Sequence, residues 1–389
     1  MRILIVHNDY GRYSGEEAVV DRMIADMRGA GNEVETLRCS SQTSRDRLSG
    51  KIRGFFAGMY SLRGRSMMRR ALRDFRPDVV NIHNLYPFIS PSVLPLCRKA
   101  GIPVVMTVHN YRLICPTGLF MRNGMPCEQC LDKGNEWSCI RHNCEKSMFR
   151  SVGYALRNMV ARKTRAYLDN VSKYCCLTDF QRDKLIAAGF VAEKIAVIPN
   201  YVEIPEHDEA TNVGEYVGYV GRLSEEKGYD MLVEVARRHP EIAFHFAGTP
   251  REGVDLSNLP ENVTICGQLN KEQLAQFYEQ SRFIVIPSRC YEGFPVALIE
   301  AAAHRRCCIV PNHGAFPDII KNNERERCGV LFEPCDVEEL GKAVERLWND
   351  AEYCYELGNK ARQNCETRYT RRAITEAWND ILSTTTNTQ

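Results

Sequence analysis

The sequence lacks any long uninterrupted apolar run, although 44% of its 389 residues are hydrophobic. A charge or a proline breaks every hydrophobic stretch well before the ~18 residues that a membrane-spanning helix needs, so we expect no helix to cross a bilayer. The start of the chain, from Met1 to His7, lacks the cationic and apolar segments of a secretory signal. We therefore expect a cytoplasmic protein without a signal peptide.

The sequence also lacks a Gly-x-Gly-x-x-Gly motif after the first predicted strand of either half. In dinucleotide-binding enzymes that motif lets the backbone approach a pyrophosphate, so its absence argues against an oxidoreductase of that type. A nucleotide site in this chain has to use other residues.

Cysteine is abundant, with 17 residues, but its pattern does not indicate a disulfide scaffold. The number is odd, the chain is large, and Cys175–Cys176 and Cys307–Cys308 are adjacent pairs. In the absence of a secretory signal, most of these residues are expected to be reduced thiols.

One group of cysteines has a spacing typical of metal sites. Cys127 and Cys130 form Cys-x2-Cys, and Cys139 and Cys144 follow as Cys-x4-Cys, with Cys115 upstream. Four thiolates satisfy the tetrahedral preference of zinc, so Cys127, Cys130, Cys139 and Cys144 are predicted as a candidate structural zinc site. The alternative is a set of reduced thiols or a small redox-labile knot.

Charge is divided unevenly along the chain. Residues 1–199 carry 31 Lys and Arg against 18 Asp and Glu, whereas residues 200–389 carry 20 against 31. Ten of the cations lie between Arg45 and Arg76, interleaved with large apolar residues, and a second basic stretch runs from Arg141 to Arg165. This mixture suits an anionic membrane surface, here the inner face of the plasma membrane. The alternatives are a solvated helix face or nucleic acid.

Strand-like and helix-like segments alternate almost throughout, which predicts an α/β fold with parallel sheets covered by helices. The predicted strands are 2–7, 33–38, 78–83, 104–109, 174–178, 195–198, 216–220, 243–247, 263–266, 283–287, 308–311 and 329–332. They divide into two doubly wound, Rossmann-like sheets that face a cleft, with ligands expected beyond the carboxyl ends of the strands.

The domain boundaries follow from this division. Residues 1–200 are predicted as the first domain, which includes the cysteine-rich insertion at 115–144, and residues 213–370 as the second. The aperiodic segment 201–212 is the predicted linker. Residues 371–389 are predicted as a terminal helix with a frayed polar tail that begins at Ser383, and packing of that helix on the first domain is one option.

Glu292 and Glu300 lie eight residues apart across a predicted strand-to-helix junction. The preceding segment 283–288 is typical of a buried strand, and Pro295 suits the first position of a helix. A helix that begins there points backbone amides and the positive end of its dipole at a ligand above the strand. Glu300 lies in a very apolar segment, so we expect its carboxylate to have a polar partner, such as a ligand hydroxyl.

The segment Gly221–Gly228, Gly-Arg-Leu-Ser-Glu-Glu-Lys-Gly, follows the first strand of the second half. It places Arg222 and Lys227 on one glycine-bounded turn, where a guanidinium fork and an ammonium can share a diphosphate. Together with Glu292-x7-Glu300, this segment resembles glycosyltransferase family 4, and the resemblance covers nearly the whole chain. It implies the two-domain GT-B fold, a nucleotide-diphosphate sugar donor, retention of anomeric configuration and catalysis without a cofactor.

The resemblance also implies roles for residues of the second half. Arg222 and Lys227 hold the donor diphosphate. Glu300 accepts hydrogen bonds from the donor ribose, and Glu292 contacts the donor sugar. The backbone amides of Gly293–Phe294 add contacts to sugar and phosphate. Arg222, Lys227 and Glu292 are therefore candidates for catalysis as well as for donor binding.

In the first half, His109 ends a predicted strand and matches the family's histidine near the donor sugar and the acceptor, so the resemblance makes it a further candidate for catalysis. His83 and Asn84 end another strand and are acceptor-side candidates. Gly15 stands where the family usually has the second of two glycines that approach the donor phosphates, whereas Ser14 replaces the first. Close backbone approach is therefore expected at Gly15 only.

These features predict a retaining glycosyltransferase that acts on a glycan or lipid-linked glycan in the biosynthesis of a surface polysaccharide, such as O-antigen, capsule or exopolysaccharide. One alternative is another GT-B enzyme of nucleotide sugars, such as an epimerase or a soluble sucrose or glucan synthase. The other is a nucleic-acid-binding module built on the cysteines and the basic stretch. It leaves Gly221–Gly228 and the Glu292/Glu300 pair unexplained, so we expect no nucleic-acid partner.

Overall fold

The structure is a computed structural model that describes residues 1–9, 15–40, 48–206, 214–320 and 327–387 and, apart from 48–53, their side chains. Ser14, the beginning of the basic stretch at Arg45, and residues 207–212 of the predicted linker lie outside these ranges. The chain forms two compact units. The first comprises Met1–Gly118, Glu128–Pro199 and Thr375–Gln389, and the second comprises Leu119–Cys127 and Asn200–Ile374.

Strands alternate with helices along both units, as the sequence predicts. The strands in chain order are β1 (Arg2–Asp9), β2 (Glu33–Ser40), β3 (Val79–Asn84), β4 (Val104–Val108), β5 (Met121–Arg122), β6 (Met125–Pro126), β7 (Lys173–Cys176), β8 (Ile195–Val197), β9 (Tyr216–Val220), β10 (Phe244–Ala247), β11 (Val263–Gly267), β12 (Ser281–Val285), β13 (Cys308–Pro311) and β14 (Gly329–Phe332).

The α-helices surround the two sheets and end in the chain's longest helical segments. In chain order they are α1 (Gly15–Gly29), α2 (Leu48–Met59), α3 (Leu62–Phe75), α4 (Leu94–Lys99), α5 (Gln129–Asp132), α6 (Trp137–Arg141), α7 (Met148–Lys163), α8 (Asp179–Ala187), α9 (Tyr229–Arg238), α10 (Lys271–Gln280), α11 (Val296–Ala303), α12 (Phe316–Ile320), α13 (Val337–Asn349), α14 (Ala351–Arg368) and α15 (Arg371–Asn387).

Each unit is built on a six-stranded sheet in which every described pair of neighbouring strands is parallel. The strand orders are β2-β1-β3-β4-β7-β8 in the first unit and β11-β10-β9-β12-β13-β14 in the second. The central strands are buried on both faces, as β1 and β3 show, because helices cover both sides of the sheet. The predicted α/β fold with two Rossmann-like sheets is confirmed, and each of the twelve predicted strands has its counterpart.

Two features differ from the sequence-based expectation. The short antiparallel hairpin of β5 and β6 packs with the second unit, although its residues fall inside the insertion that the sequence assigns to the first domain. Two-residue strands are too short to show a hydrophobic period, so the pattern gives no sign of this hairpin.

The C-terminal helix is also longer than expected. The predicted frayed tail begins at Ser383, but α15 continues to Asn387. The hydroxyl of Thr384 donates to the carbonyl of Asp380, and the side chains of Leu382 and Thr385 are buried, so packing holds a segment whose composition alone favours fraying. Residues from Thr375 onward group with the first unit. Within the described ranges, no helix combines the length and the apolarity needed to cross a membrane.

Candidate functional site

The second unit has its candidate site where β9 and β12 end side by side. These strands are neighbours in the sheet, and the chain leaves them toward opposite halves of it. Such a switch point opens a crevice beyond the carboxyl ends of the strands. The segment Gly221–Gly228 follows β9, and the segment 286–292 follows β12, so the two sequence motifs meet at this edge.

Backbone contacts fix the two segments against each other. The carbonyl of Glu226 accepts hydrogen bonds from the amides of Arg289, at 3.0 Å, and Cys290, at 3.3 Å. Gly228 has a positive φ of 67°, and a Cβ atom there would lie 2.0 Å from the carbonyl oxygen of Pro287. Only glycine permits this approach, which explains why the turn ends with one.

Lys227 and Glu292 form an ion pair across this junction. The Nζ atom of Lys227 lies 2.6 and 2.8 Å from the two carboxylate oxygens of Glu292, and the hydroxyl of Ser288 also donates to that carboxylate. Burial alone would lower the pKa of Lys227, but the charge and hydrogen bonds of Glu292 outweigh it and raise the pKa. The sequence predicted both residues as site residues, but not their contact with each other.

Arg222 reaches the same turn from its first position. Its Nη2 atom lies 3.6 Å from a carboxylate oxygen of the buried Glu226, while more than half of its own side chain is exposed. The guanidinium is therefore held on one side by a buried carboxylate, while its exposed side can contact an anion.

Glu300 has the polar partner that its apolar surroundings predict, and it comes from the protein. The hydroxyl of Tyr278, on α10, donates to Glu300 at 2.9 Å. Burial and the neighbouring carboxylate raise the pKa of Tyr278 well above its usual value, so the phenol stays a donor. Sequence reasoning missed Tyr278 because no fixed spacing links α10 to α11.

The start of α11 differs from the prediction by one residue. The helix begins at Val296, with Pro295 as the residue before its first turn. Phe294 is buried, and its ring packs against that of Tyr369 at 5.8 Å between centroids. This packing fixes the backbone of the Gly293–Phe294 segment whose amides were predicted to face the donor.

The β5–β6 hairpin adds residues to this edge that sequence reasoning missed. The ring of the buried Phe120 lies 5.7 Å from that of Tyr291, the residue before Glu292. At the hairpin turn, the carbonyl of Gly124 accepts a hydrogen bond from the thiol of Cys335 at 3.2 Å. The hairpin thus packs against the loop that carries Glu292.

In the first unit, the strand-end histidines come together. The Nδ1 atom of His83 lies 2.7 Å from the Nε2 atom of His109, and the two rings are stacked with centroids 5.0 Å apart. The ring of His7, at the end of β1, contacts that of His83 at 6.4 Å between centroids. His7 did not appear among the residues predicted for the site, although it also stands at the end of a predicted strand.

Burial keeps these three imidazoles neutral. It lowers the pKa of His109 to about 4, and it lowers that of His7 to about 4 although Glu16 opposes the shift. The pKa of His83 is lowered well below its usual value by burial and by the neighbouring His109 and His7. At neutral pH the cluster offers hydrogen bonds rather than charge.

The other residues predicted in the first unit have more structural surroundings. The side-chain NH2 group of Asn84 donates to the carbonyl of Asn8, and its side-chain oxygen accepts from the backbone amide of Tyr86. Both polar atoms of this side chain therefore bind backbone groups. Gly15 is the first residue of α1 and is exposed, and a Cβ atom there would meet no other atom within 4 Å. Its assignment to the donor remains a prediction.

Within the described part of the chain, one group of side chains is close enough to share a metal ion, since its donor atoms all lie within 4.8 Å of one another. The group consists of His7, Asp9 and Glu17. Arg38 lies 4.0 Å from Asp9, which places a cation beside this group already. The group contains no cysteine.

In a zinc site, zinc–thiolate bonds place the sulfur atoms about 3.8 Å apart. In the described part of the chain, the sulfur atoms of the predicted zinc ligands are therefore not gathered at that spacing. Cys139 does lie near other thiols. Its pKa is raised by a hydrogen bond with Cys144, by burial, and by the charges of Cys144, Cys115 and Cys130. The zinc site remains a prediction, which metal analysis of the purified protein tests.

Comparison with known families gives two adjoining matches. The model described as Glycosyltransferase Family 4 matches residues 13–205, and the model described as Glycosyl transferases group 1 matches residues 203–364. Together they span residues 13–364, which include the segments that carry the predicted site residues.

Individual relatives agree in class and differ in what they transfer. The chain is 27% identical over 240 residues to a poly(ribitol-phosphate) alpha-N-acetylglucosaminyltransferase of Staphylococcus aureus, which covers 57% of this chain and 47% of that protein. It is 22% identical over 398 residues to the O-antigen chain mannosyltransferase C of Escherichia coli, covering 99% and 98%. The chain thus spans about half the length of the first relative and nearly all of the second.

Solved structures share the fold. A sucrose-phosphate synthase of Thermosynechococcus elongatus superposes with a TM-score of 0.73 and 15% identity over 100% of both chains. The Anabaena protein HepE in complex with UDP-glucose superposes with a TM-score of 0.67 and 15% identity, covering 99% of this chain and 100% of that one.

Proposed function

Because the chain belongs to glycosyltransferase family 4, we propose that it transfers a sugar, with retention, from a nucleotide-diphosphate donor to a glycan or lipid-linked glycan. The process would be the biosynthesis of a surface polysaccharide. The similarity to an O-antigen mannosyltransferase along almost the whole chain supports this acceptor class. The HepE complex with UDP-glucose makes a UDP-sugar one reasonable donor to test.

The observation that carries the proposal is the Lys227–Glu292 pair beside Arg222 at the β9/β12 switch point. Two cations and a carboxylate on fixed turns match a diphosphate joined to a hydroxyl-rich sugar. When the donor binds, the ammonium of Lys227 turns part of its hydrogen bonding from Glu292 to phosphate. The carboxylate of Glu292 is then left to accept from sugar hydroxyls.

The proposed reaction needs no covalent enzyme intermediate. The bond between the anomeric carbon and the diphosphate oxygen breaks, and Arg222 and Lys227 stabilise the charge that develops on the leaving group. An acceptor hydroxyl attacks the same face of the sugar, and its proton passes to the departing phosphate oxygen. His109, which is neutral at pH 7, contributes hydrogen bonds to sugar or acceptor hydroxyls rather than charge.

The donor assignment is tested with a thermal-shift and hydrolysis panel of UDP-, GDP-, ADP- and dTDP-sugars. We expect one base to raise the melting temperature of the wild-type protein, and the Arg222→Ala variant to lose that response. No response to any of the four would contradict the proposed function. Unchanged turnover in Arg222→Ala would contradict the role of the guanidinium.

We further propose that the first unit binds an anionic membrane surface at the inner face of the plasma membrane. Helices α2 and α7 pack together through the stacked rings of Phe55 and Phe149, whose centroids are 5.0 Å apart. Large apolar side chains are exposed on these helices, on the adjoining α3 and α6, and in the link between α2 and α3, namely Phe56, Tyr60, Leu62, Trp137, Met148 and Phe149.

Exposed cations lie on the same part of the chain. Exposed arginine and lysine residues of α3 and of the segment before and within α7 include Arg63, Arg69, Arg70, Lys146 and Arg150. Aromatic and aliphatic groups that enter the headgroup region and cations that attract anionic lipids are the two parts of a peripheral membrane site. An acceptor carried on a lipid would be presented at the same surface.

Flotation with phosphatidylglycerol vesicles tests this placement. The double variant Phe56→Ser/Leu62→Ser is expected to bind the vesicles at least tenfold more weakly than the wild type, and added salt is expected to weaken wild-type binding. Tyr355→Ser, which removes an exposed aromatic residue of the second unit, is the matched control. Equal binding by the double variant and the control would contradict the proposal.

A further inference from the structure

Arg251 is a second guanidinium in the loop that adjoins the Arg222 turn. It follows β10, the strand beside β9. The amide of Leu223 donates to the carbonyl of Thr249 at 3.0 Å, and the amide of Arg251 donates to the carbonyl of Leu223 at 2.9 Å. These reciprocal backbone bonds hold the loop after β10 against the Arg222 turn.

The two guanidiniums share one buried carboxylate. The Nη1 atom of Arg251 lies 3.4 and 3.3 Å from the two carboxylate oxygens of Glu226, and the Nη2 atom of Arg222 lies 3.6 Å from one of them. Only 5% of the Glu226 side chain is exposed, against 58% for Arg222 and 56% for Arg251. The carboxylate lies below, and the guanidiniums face outward.

Glu226 stays ionised in this position. Burial by itself would raise its pKa, but a backbone hydrogen bond and the charges of Arg222 and Arg251 outweigh burial and lower the pKa. One arginine is enough to neutralise a single carboxylate. The second arginine therefore leaves the trio with a net positive charge, whereas the adjoining Lys227–Glu292 pair is neutral.

A guanidinium has five N–H donors, and the contacts with Glu226 use only some of them. The remaining donors of Arg222 and Arg251 follow β9 and β10 at the carboxyl edge of the sheet, which is the edge where doubly wound sheets in general bind ligands. Because both side chains are tethered at one side, they lose little conformational entropy on binding an anion there. The arrangement matches a phosphate group better than it matches a surface ion pair.

We propose that Arg251 is a third phosphate-binding cation of the donor site, and that Glu226 is a positioning residue that holds Arg222 and Arg251 as a pair. This inference rests on the proposed function and deepens its donor site. In the transition state the bond to the sugar breaks with its electrons on oxygen before the acceptor's proton has reached that oxygen, so the leaving nucleoside diphosphate carries more negative charge there than in the bound donor. A paired guanidinium site therefore stabilises the leaving group more than the bound donor.

The test measures nucleoside diphosphate affinity and turnover in three variants: Arg251→Ala, Arg251→Lys and Glu226→Gln. The probes are UDP, GDP and ADP by calorimetry, with inorganic pyrophosphate as a base-independent competitor. We expect Arg251→Ala to weaken diphosphate and pyrophosphate binding about tenfold and to reduce its salt dependence. Arg251→Lys should restore part of the affinity, because it keeps the charge and loses the fork.

Glu226→Gln is expected to lower kcat/KM by about a hundredfold, mostly through kcat, because both guanidiniums lose their shared anchor. Combined with Arg251→Ala, its effect should be less than the product of the two single effects, since the residues act as a unit. The matched control is Glu234→Gln. Glu234 also binds two arginines, Arg237 and Arg238, but it lies exposed on α9, so turnover should be unchanged.

The outcomes separate this inference from the proposed function. If the wild type binds none of the three diphosphates, the proposed function fails and the inference fails with it. If the wild type binds and Arg222→Ala does not, while Arg251→Ala and Glu226→Gln bind and turn over like the wild type, only the inference is overturned. A lower melting temperature of Arg251→Ala with unchanged diphosphate affinity also overturns it, because Arg251 is then only a counter-ion for Glu226.

Discussion

The first unit has a histidine cluster of His7, His83 and His109, and the second has an ionic cluster of Arg222, Lys227 and Glu292. The two clusters accommodate polar side chains in opposite ways. Both keep polar side chains in partly or fully buried positions at the carboxyl ends of parallel strands. In the first unit, burial removes the charge, since the pKa values of His7 and His109 fall to about 4. In the second, Lys227 and Glu292 form an ion pair in which each side chain is the other's partner.

The difference teaches which half of the reaction each cluster suits. Paired charges on glycine-bounded turns can be redirected to a diphosphate whose charge grows as the donor breaks down. Neutral imidazoles cannot stabilise that charge well, but they exchange hydrogen bonds with uncharged hydroxyls at little electrostatic cost. Breaking one partner should therefore be much more harmful in the ionic cluster than in the histidine cluster.

The largest effect is expected from Lys227→Met. Methionine has a similar length but no charge, so the carboxylate of Glu292 loses its ammonium partner and faces the donor diphosphate directly. We expect kcat/KM to fall about 10³-fold, through loss of a phosphate contact and through repulsion between two anions. Steady-state kinetics and calorimetric titration with the preferred nucleoside diphosphate measure both parts.

Lys360→Met is the matched control for that substitution. Lys360 also forms a 2.6 Å ion pair with a glutamate, Glu356, but on the more exposed surface of α14. Turnover should not change in this variant. Diphosphate binding by Lys227→Met at wild-type strength would show that the ion pair is structural.

The ionic cluster was largely readable from the sequence because its residues come in two short segments. The spacing of Arg222 and Lys227, and that of Glu292 and Glu300, is set by local turns. The contact between Lys227 and Glu292 was not readable, because it joins residues 65 apart through the order of strands in the sheet. Arg251 was missed for the same reason: a single arginine after β10 has no local pattern.

An intermediate effect is expected when pH is lowered past the histidine cluster. The usual histidine pKa of 6.5 applies to the unfolded chain, whereas His109 in the folded chain has a pKa of about 4. Between these values the unfolded chain binds a proton that the folded chain excludes. The stabilising contribution is complete above about pH 6.5 and is lost as pH falls toward 4, at up to about 1.4 kcal/mol per pH unit for each such residue.

His109→Gln should therefore flatten the pH dependence of stability. Melting temperatures of wild type and variant, measured from pH 7.5 to 5, are expected to converge as the solution becomes more acidic. His304→Gln tests the same rule in the second unit, where burial first and then nearby arginines lower the pKa of His304 to about 4. Parallel curves for wild type and His109→Gln would mean that the imidazole takes up its proton at the same pH in the folded chain as in the unfolded chain, which would contradict the prediction.

The histidine cluster shows where sequence reasoning reaches its limit. His83 and His109 were each placed at a strand end, which follows from buried runs that stop at a polar residue. Their hydrogen bond depends on β3 and β4 being neighbours, and the contact with His7 depends on β1 lying on the other side of β3. Strand order arises from the packing of helices over the whole sheet, so no single segment encodes it.

The smallest effect is expected from Tyr278→Phe, which removes the hydroxyl that donates to Glu300 and leaves the ring in place. The loss of one hydrogen bond to a carboxylate should weaken binding of the nucleotide-sugar donor by about threefold to tenfold. Since the ribose does not react, the change should appear in KM for the donor, with kcat nearly unchanged. Tyr216→Phe is the matched control, because that buried hydroxyl donates to the backbone carbonyl of Phe277. A fall in kcat at constant KM would instead mean that the hydroxyl of Tyr278 matters only in the transition state. Glu300 would then act with Lys227 and Arg222 in stabilising the transition state, rather than in binding the ribose.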